Sequence, residues 1–391
     1  MSPRPHIVLD ALQVTPRPAG VAQAILEYLA EMSREPRGFD FTVLVTHPDE
    51  FAFLGGRPHW RLLACPGAEG SVARKAVFTQ RGLPRLLTKL RADLLHSMQF
   101  ITPLRSPCPT VATVHDMVWR LHPETIEQPR RAYYRFLVPR SLKAARAILT
   151  NSEATARDVR RCLPGVAGRV TVTPFGTPTW LTREGPTRRE TAEGAGPFFL
   201  FVGTLEPRKN LPNLLAAYAR FLDELASQGV APAERPRLVL VGAKGWKMTG
   251  LRRLLTDFAH PDHLVWRDYV PASELACLYR EALALVFPSL YEGFGFPVLE
   301  AMSVGLPVIT ARRGAMSEVA GDAALLVDPL DQGQLARSLH RLRSEPALRD
   351  ALARGGPVQA ARWNWGTTVA ATLPIYRRLT GVAGPPGAAN K

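Results

Sequence analysis

Two carboxylates, Glu292 and Glu300, stand eight residues apart across a glycine-bearing stretch that runs from Pro288 to Glu300. An apolar segment of strand length, Ala284–Phe287, precedes it, and Pro297 suits the opening of a helix that continues through Val298, Leu299, Glu300, Ala301 and Met302. The unit reads as strand, glycine loop, helix N-terminus. Such a terminus offers backbone N–H groups and the positive end of the helix dipole to an anion. Carboxylates beside an anion site make chemical sense when the ligand also carries hydroxyls, as a nucleotide or a sugar phosphate does. Gly293 and Gly295 lack the third glycine of the dinucleotide fingerprint, so the loop alone is equally compatible with a tight turn.

Two further constellations bear on this choice. In Phe201–Asn210, Gly203 ends an apolar run and Pro207 opens a turn carrying Arg208 and Lys209, with Asn210 placed to cap a helix from Leu211. Adjacent cations at a strand end suit a diphosphate, the guanidinium as a fork and the ammonium as a point charge; a solvated surface turn is the other reading. In Val111–Trp119 a strand runs out into His115 and Asp116. There the imidazole could take a substrate hydroxyl or serve acid–base chemistry, or the two residues could cap the strand end.

The elements that must position these residues follow one rhythm. Strand-like runs at 7–9, 41–45, 94–96, 110–114 and 147–150 alternate with helical stretches, the first at 22–32 just after Gly20. This predicts a parallel sheet covered on both faces. Residues 176–197, rich in Gly, Pro, Thr, Glu and Arg, read as a linker. The rhythm then restarts: strands at 198–202, 238–241, 264–266, 284–287, 307–309 and 325–327, and helices at 211–224, 332–355 and 366–379. Strands that stop at Gly203 and Gly242 point to ligands at the carboxyl edge of this second sheet. The expected architecture is α/β: two doubly wound, Rossmann-like domains, 1–175 and 198–365, with an interdomain cleft, a C-terminal helix at 366–380 and a disordered tail at 381–391.

Composition sets the remaining bounds. The 391 residues suffice for two domains, and no segment approaches the ~18 apolar residues of a membrane span. A strand follows the N-terminus directly, so no signal peptide is expected. Four widely separated cysteines (Cys65, Cys108, Cys162, Cys277) fit reduced thiols, no zinc site and a cytoplasmic location. The net charge of +15 is concentrated early: residues 1–178 hold 24 Lys/Arg against 14 Asp/Glu, with arginines clustered from Arg130 to Arg161 among Tyr133, Tyr134, Phe136 and Leu137. A basic face for nucleic acid, adhesion to anionic lipid and a merely arginine-rich surface all fit that charge, but no nucleic-acid-binding signature accompanies it.

Taken together, Gly203–Asn210, Pro288–Met302, Gly305–Ile309 and Glu318–Ala324 resemble, in that order and spacing, the GT-B retaining glycosyltransferases of family 4 (glycosyltransferase group 1), bacterial mannosyltransferases in particular. The resemblance covers nearly the whole chain. It implies that Glu292 contacts the donor sugar's hydroxyls and Glu300 the ribose, with backbone amides of Phe294 to Leu299, including Gly295 and Val298, along the sugar and diphosphate beside Gly293. By the same match Arg208 and Lys209 meet the leaving diphosphate after Gly203, Val270 lies where base contacts are expected, Gly20 falls in the first-domain glycine loop and His115 at the active-site histidine. Asn151–Glu153 fall at a domain-edge turn. Three departures stand out: Ala22 and Gln23 after Gly20, Asp268 before Tyr269, and Ser317 with Arg312 in the stretch 311–319. No Asp-x-Asp pair occurs, so a metal-bridged donor site is not expected. The resemblance therefore implies a metal-independent enzyme without cofactor, using a nucleotide-diphospho sugar, GDP-linked by preference and UDP-linked as the alternative. The acceptor would be a glycan or lipid-linked molecule of surface polysaccharide synthesis, at the inner face of an anionic membrane.

Overall fold

The computed structural model describes residues 4–16, 18, 20–34, 38–181, 196–245 and 249–382. Most of the expected linker (182–195) and of the expected tail (383–391) lies outside the described residues. The chain forms two compact units, Met1–Gly176 with Asn364–Lys391, and Thr177–Trp363.

The first unit carries seven strands: β1 (His6–Asp10), β2 (Asp40–Val45), β3 (Trp60–Ala64), β4 (Leu94–Ser97), β5 (Thr110–Val114), β6 (Ala147–Thr150) and β7 (Val170–Val172). They pair in parallel in the order β3-β2-β1-β4-β5-β6-β7. Ile7, Val8, Leu9, Leu94, Leu95, Val111 and Ala112 are fully buried, as continuous apolar runs must be when helices cover both faces. β3 was not among the expected strands. It is an edge strand and only half-buried, so its sequence WRLLA carries neither a clean alternation nor a continuous apolar run.

The helix Trp365–Thr380 belongs to this first unit, capped by the Asn364 side chain, which accepts from the Thr367 N–H. Its Tyr376 is fully buried, and the hydroxyl reaches His96 Nδ1 at 2.5 Å and the Tyr28 hydroxyl at 3.2 Å. Three buried polar groups thus satisfy one another while the C-terminal segment packs on the unit that the N-terminus began.

The second unit holds β8 (Phe198–Val202), β9 (Arg237–Val241), β10 (Leu264–Arg267), β11 (Ala284–Phe287), β12 (Val308–Ala311) and β13 (Leu325–Val327), again all parallel, in the order β10-β9-β8-β11-β12-β13. β8 has β9 on one side and β11 on the other, so the direction of winding reverses between β8 and β11. Loops leaving the carboxyl ends of two such strands diverge and leave a crevice. At the neighbouring strand ends the backbones close up instead. The Gly203 N–H donates to Val241 O at 2.8 Å and the Gly242 N–H to Arg267 O at 2.9 Å. A Cβ on Gly242, whose φ is +153°, would lie 2.1 Å from Gly203 O, so this contact requires glycine. The helical stretch expected at 332–355 is two helices, Gln332–Ser344 and Pro346–Ala360, broken at Glu345 ahead of a proline.

Candidate active site

The loops leaving β8 and β11 meet at the reversal point. After β8 the chain turns through Pro207–Lys209; after β11 it runs through Pro288 and Glu292 to the helix Phe296–Ser303. Two contacts fasten the loops together: the Leu290 N–H donates to Arg208 O at 2.8 Å, and Asn210 Nδ2 donates to Pro288 O at 3.1 Å. Asn210 also donates to Pro329 O at 2.6 Å. It stands at the N-cap position of the helix Leu211–Ser227 with φ +61°, but its side chain makes no capping bond. The expected cap is corrected: a side chain that satisfies two loop carbonyls is turned away from the helix's N–H groups.

At the centre lies a buried ion cluster. Glu292 Oε1 receives Lys209 Nζ at 2.7 Å and Oε2 receives Arg208 Nη1 at 2.5 Å. Arg208 also pairs with Glu206, and its Nη1 donates to Tyr291 O at 3.2 Å. Lys209 Nζ sits 4.7 Å from the centre of the Phe287 ring, a cation–π contact that helps hold a charge in an apolar setting. Burial alone would raise the Glu292 carboxyl, but Arg208 and Lys209 outweigh it and hold it at about 2. Glu292 therefore stays ionised throughout the physiological range, and both its oxygens are engaged.

Glu300 differs in every respect. It lies one helical turn into Phe296–Ser303, and its Oε2 accepts from the Tyr279 hydroxyl at 2.6 Å. Burial, only partly offset by that hydrogen bond, lifts its carboxyl to about 7. The two carboxylates of the loop thus sit at opposite ends of the ionisation range, one saturated by cations and one held beside a phenol.

Gly295 enters the helix with φ +102°, a conformation that favours glycine. The N–H groups of Val298 and Leu299 already donate to Gly295 O, at 3.0 and 3.3 Å, Pro297 has none, and both Val298 and Leu299 are fully buried. The expectation that amides along Phe294–Leu299 line a ligand is thereby narrowed, because the first helical turn uses the donors of 298 and 299. Gly293 and Phe294 are buried in the same loop, and Phe294 packs edge-on against Phe296 and Trp363. Val270, also buried, follows β10 at the same edge of the sheet, ahead of the helix Ala272–Glu281.

The comparisons with known proteins bear on this arrangement. Residues 186–358 match the model described as glycosyl transferases group 1, and residues 18–181 match Glycosyltransferase Family 4. The chain is 30% identical over 291 residues to the O-antigen chain mannosyltransferase B of Escherichia coli, covering 73% of this chain and 74% of that one. The chain belongs to the group 1 glycosyltransferases, family 4. A D-inositol 3-phosphate glycosyltransferase of Acidothermus cellulolyticus is 32% identical over 246 residues, 60% of this chain and 53% of that one, so here the match spans about half the relative's length. Among solved structures, the sucrose-phosphate synthase of Thermosynechococcus elongatus superposes with a TM-score of 0.73 at 22% identity, over 97% of this chain and 100% of that one. The fold is GT-B, as the sequence led one to expect.

In this family 4 glycosyltransferase, Gly20 and His115 lie in the first unit. Gly20, with φ +54°, precedes the helix Val21–Met32. His115 follows β5 and is 7% exposed. Its Nε2 lies 2.8 Å from Met98 O, and a carbonyl can only accept, so Nε2 carries the proton. Burial holds the imidazole below its ordinary pKa, leaving it neutral with a bare lone pair on Nδ1, which has no hydrogen-bond partner among the described residues. Asp116 caps the following turn, accepting from the Val118 N–H at 3.0 Å, so of the two residues only the aspartate behaves as a cap. Asn151 donates to His115 O at 3.0 Å, and Ser152 caps the helix Glu153–Cys162.

Two residues were not singled out beforehand. Glu206 is 2% exposed and completes the ion cluster; its only signal was its place beside Pro207 and Arg208. Tyr279 reads from sequence as one more core aromatic on a helix. Only the fold brings its hydroxyl to Glu300.

Replacing Glu292 by Gln leaves the Lys209 ammonium buried without its nearest counter-charge. Urea denaturation is expected to show a loss of about 3 kcal/mol, with partial recovery in Glu292→Gln/Lys209→Met. Because the carboxyl's pKa is depressed in the folded chain, this contribution is full above pH about 4.5 and is lost as pH falls toward 2. An unchanged midpoint in Glu292→Gln would show that the cluster does not hold the loops together.

Proposed function

We propose that this enzyme transfers a hexose, with retention, from a nucleotide-diphospho sugar to a glycan or lipid-linked acceptor, and that GDP-mannose or a related GDP-deoxyhexose is the donor. The observation that carries the reading is the pair Arg208 and Lys209, fixed side by side at the reversal point of the second sheet. Cations already held in place need little reorganisation when a diphosphate departs, which is where electrostatic catalysis acts. The mannosyl donor and the polysaccharide setting rest on the likeness to the O-antigen chain mannosyltransferase.

The acceptor oxygen would bond to the anomeric carbon on the face from which the carbon–phosphate oxygen bond breaks. The electron pair of that bond goes to the diphosphate, whose oxygen takes the acceptor's proton. Glu292 is a poor nucleophile for a double displacement, since its oxygens are committed to Lys209 and Arg208 and its pKa is about 2. Its role would be to set the two cations and, along its rim, to meet sugar hydroxyls. The lone pair on His115 Nδ1 is suited to accept from a hydroxyl, and Glu300 to accept from the ribose. In this reading transfer needs no metal, because Arg208 and Lys209 answer the charge of the leaving group, and activity persists in EDTA.

The first test is thermal stabilisation by GDP-, UDP- and ADP-sugars in EDTA. At a hundredfold excess over Kd a ligand adds about 2.7 kcal/mol, a clear shift in Tm. A GDP-sugar response that disappears in Arg208→Ala/Lys209→Ala is expected; a UDP-sugar response of the same behaviour would move the donor class, and a flat response to all three would sink the reading.

A second test uses pH. A ribose hydroxyl donates best to ionised Glu300, whose carboxyl in the free enzyme sits at about 7. Donor affinity should rise roughly tenfold between pH 5.5 and 7.5, and Glu300→Gln should flatten that rise. A slope that persists in Glu300→Gln would remove the ribose assignment.

The first unit offers a membrane-facing surface in the same reading. Tyr133, Tyr134 and Leu137 pack inward from the helix Arg130–Ala144, as their spacing suits. Phe136 is 60% exposed, with the Arg140 guanidinium 3.8 Å from its ring centre and Arg131 and Arg135 on the same helix. An exposed aromatic among arginines suits an anionic lipid interface. Co-flotation with phosphatidylglycerol vesicles, and its loss in Phe136→Ser/Arg140→Ser, is expected; equal flotation with neutral vesicles would overturn this surface.

A further inference from the structure

A groove of about 490 Å³ runs along the outer edge of the second unit's sheet. Its floor is the start of β13, with Ala324, Leu325 and Leu326, and its rim carries Arg312, Arg337 and Arg341. β13 is the last strand in the sheet, so one of its sides has no strand neighbour. Arg312 leaves the end of β12; its backbone N–H donates to Val327 O at 2.8 Å. Carbonyls alternate sides along a strand, so Leu326 O points to the open edge, and Arg312 Nη2 reaches around to it at 3.1 Å. That bond anchors the guanidinium beside the groove, and its other donors have no partner among the described residues.

Arg337 and Arg341 approach from the other wall. They are four residues apart on the helix Gln332–Ser344 and share one of its faces, where like charges repel. Glu345 takes two bonds from Arg341, Nε to Oε1 at 3.1 Å and Nη2 to Oε2 at 3.3 Å, and both side chains are about half exposed. Neither Arg312 nor Arg337 forms an ion pair among the described residues. Three arginines from two elements therefore line one concavity, against which Asp322 sets a single carboxylate of the lining.

We propose that this groove is a second anion site of the C-terminal unit and that it takes the phosphate group of a small phosphorylated ligand. Planar forks bind phosphate in pairs of parallel hydrogen bonds, which Arg supplies and Lys does not. The volume falls in the range of small-molecule sites. None of these residues belongs to the cluster of Arg208, Lys209, Glu206 and Glu292, so the site stands apart from the donor reading and does not depend on it.

The test is calorimetric titration of the full chain with inorganic pyrophosphate near 0.15 M salt, where long-range attraction is screened. Two classes of site are expected. Arg337→Ala/Arg341→Ala removes one and leaves the other, while Arg208→Ala/Lys209→Ala does the reverse. Arg337→Lys/Arg341→Lys, which keeps the charge and loses the fork, weakens the groove class roughly tenfold. Arg252→Ala/Arg253→Ala, which removes the same charge from a different helix, leaves both classes. Displacement of pyrophosphate from the groove by phosphatidylglycerol vesicles would assign a lipid headgroup as the source of the phosphate, and no displacement a soluble ligand. The proposal is overturned by a single class in the wild type that vanishes with Arg208 and Lys209, or by an Arg252/Arg253 control as damaging as the Arg337/Arg341 pair. Loss of neither class in Arg208→Ala/Lys209→Ala would count against the donor clamp alone.

Discussion

A carboxylate held between two cations inside the protein is the constraint on which the second unit turns. Glu292 arrives from the loop after β11, Arg208 and Lys209 from the loop after β8, and the ion pairs exist only if the two loops meet. Charges buried to this degree are costly unless paired, so the pairing fixes the separation and register of the loops more sharply than apolar packing would. The parallel strands in turn fix where the loops start. With β8 and β11 adjacent and the winding reversed between them, both loops emerge at one crevice. The glycine contact between the ends of β8 and β9 closes the neighbouring gap and keeps Gly203 tight under Lys209, whose Cε would lie 3.4 Å from a Cβ at that position.

The same cluster changes how the cationic pair is understood. Read as a sequence, Arg208 and Lys209 are bare charges awaiting a diphosphate. In the fold they are paired with Glu206 and Glu292, two cations against two carboxylates. What the site offers an incoming anion is therefore orientation rather than surplus charge. The contrast with Glu300 follows from neighbours: a phenol in place of cations leaves its carboxyl near 7 and responsive to what binds.

Much of this was legible beforehand, for identifiable reasons. Strands buried on both faces are written as unbroken apolar runs, and β5, β6, β8 and β11 lie where the sequence placed them. The motif order identified the family. What stayed hidden depends on long-range contact. β3 is an edge strand with a diluted pattern. Asn210 obeys a local capping rule in sequence and breaks it in the fold, because two carbonyls from 288 and 329 compete for its amide. Glu206 and Tyr279 bear no mark of their partners, which lie 21 or more residues away except for the local Arg208. The tautomer of His115 follows from Met98, a residue on another strand's exit that no motif names.

The amide of Asn210 has a consequence for anyone recombining such enzymes. One side chain after β8 satisfies carbonyls in the loop after β11 and in the segment after β13, so three stretches far apart in the chain share a single fastening. Residues 203–210, 288–292 and 329 behave as one cassette. A chimera that imports the first stretch from a relative while keeping the other two inherits a mismatched joint, whereas exchange of all three together preserves it.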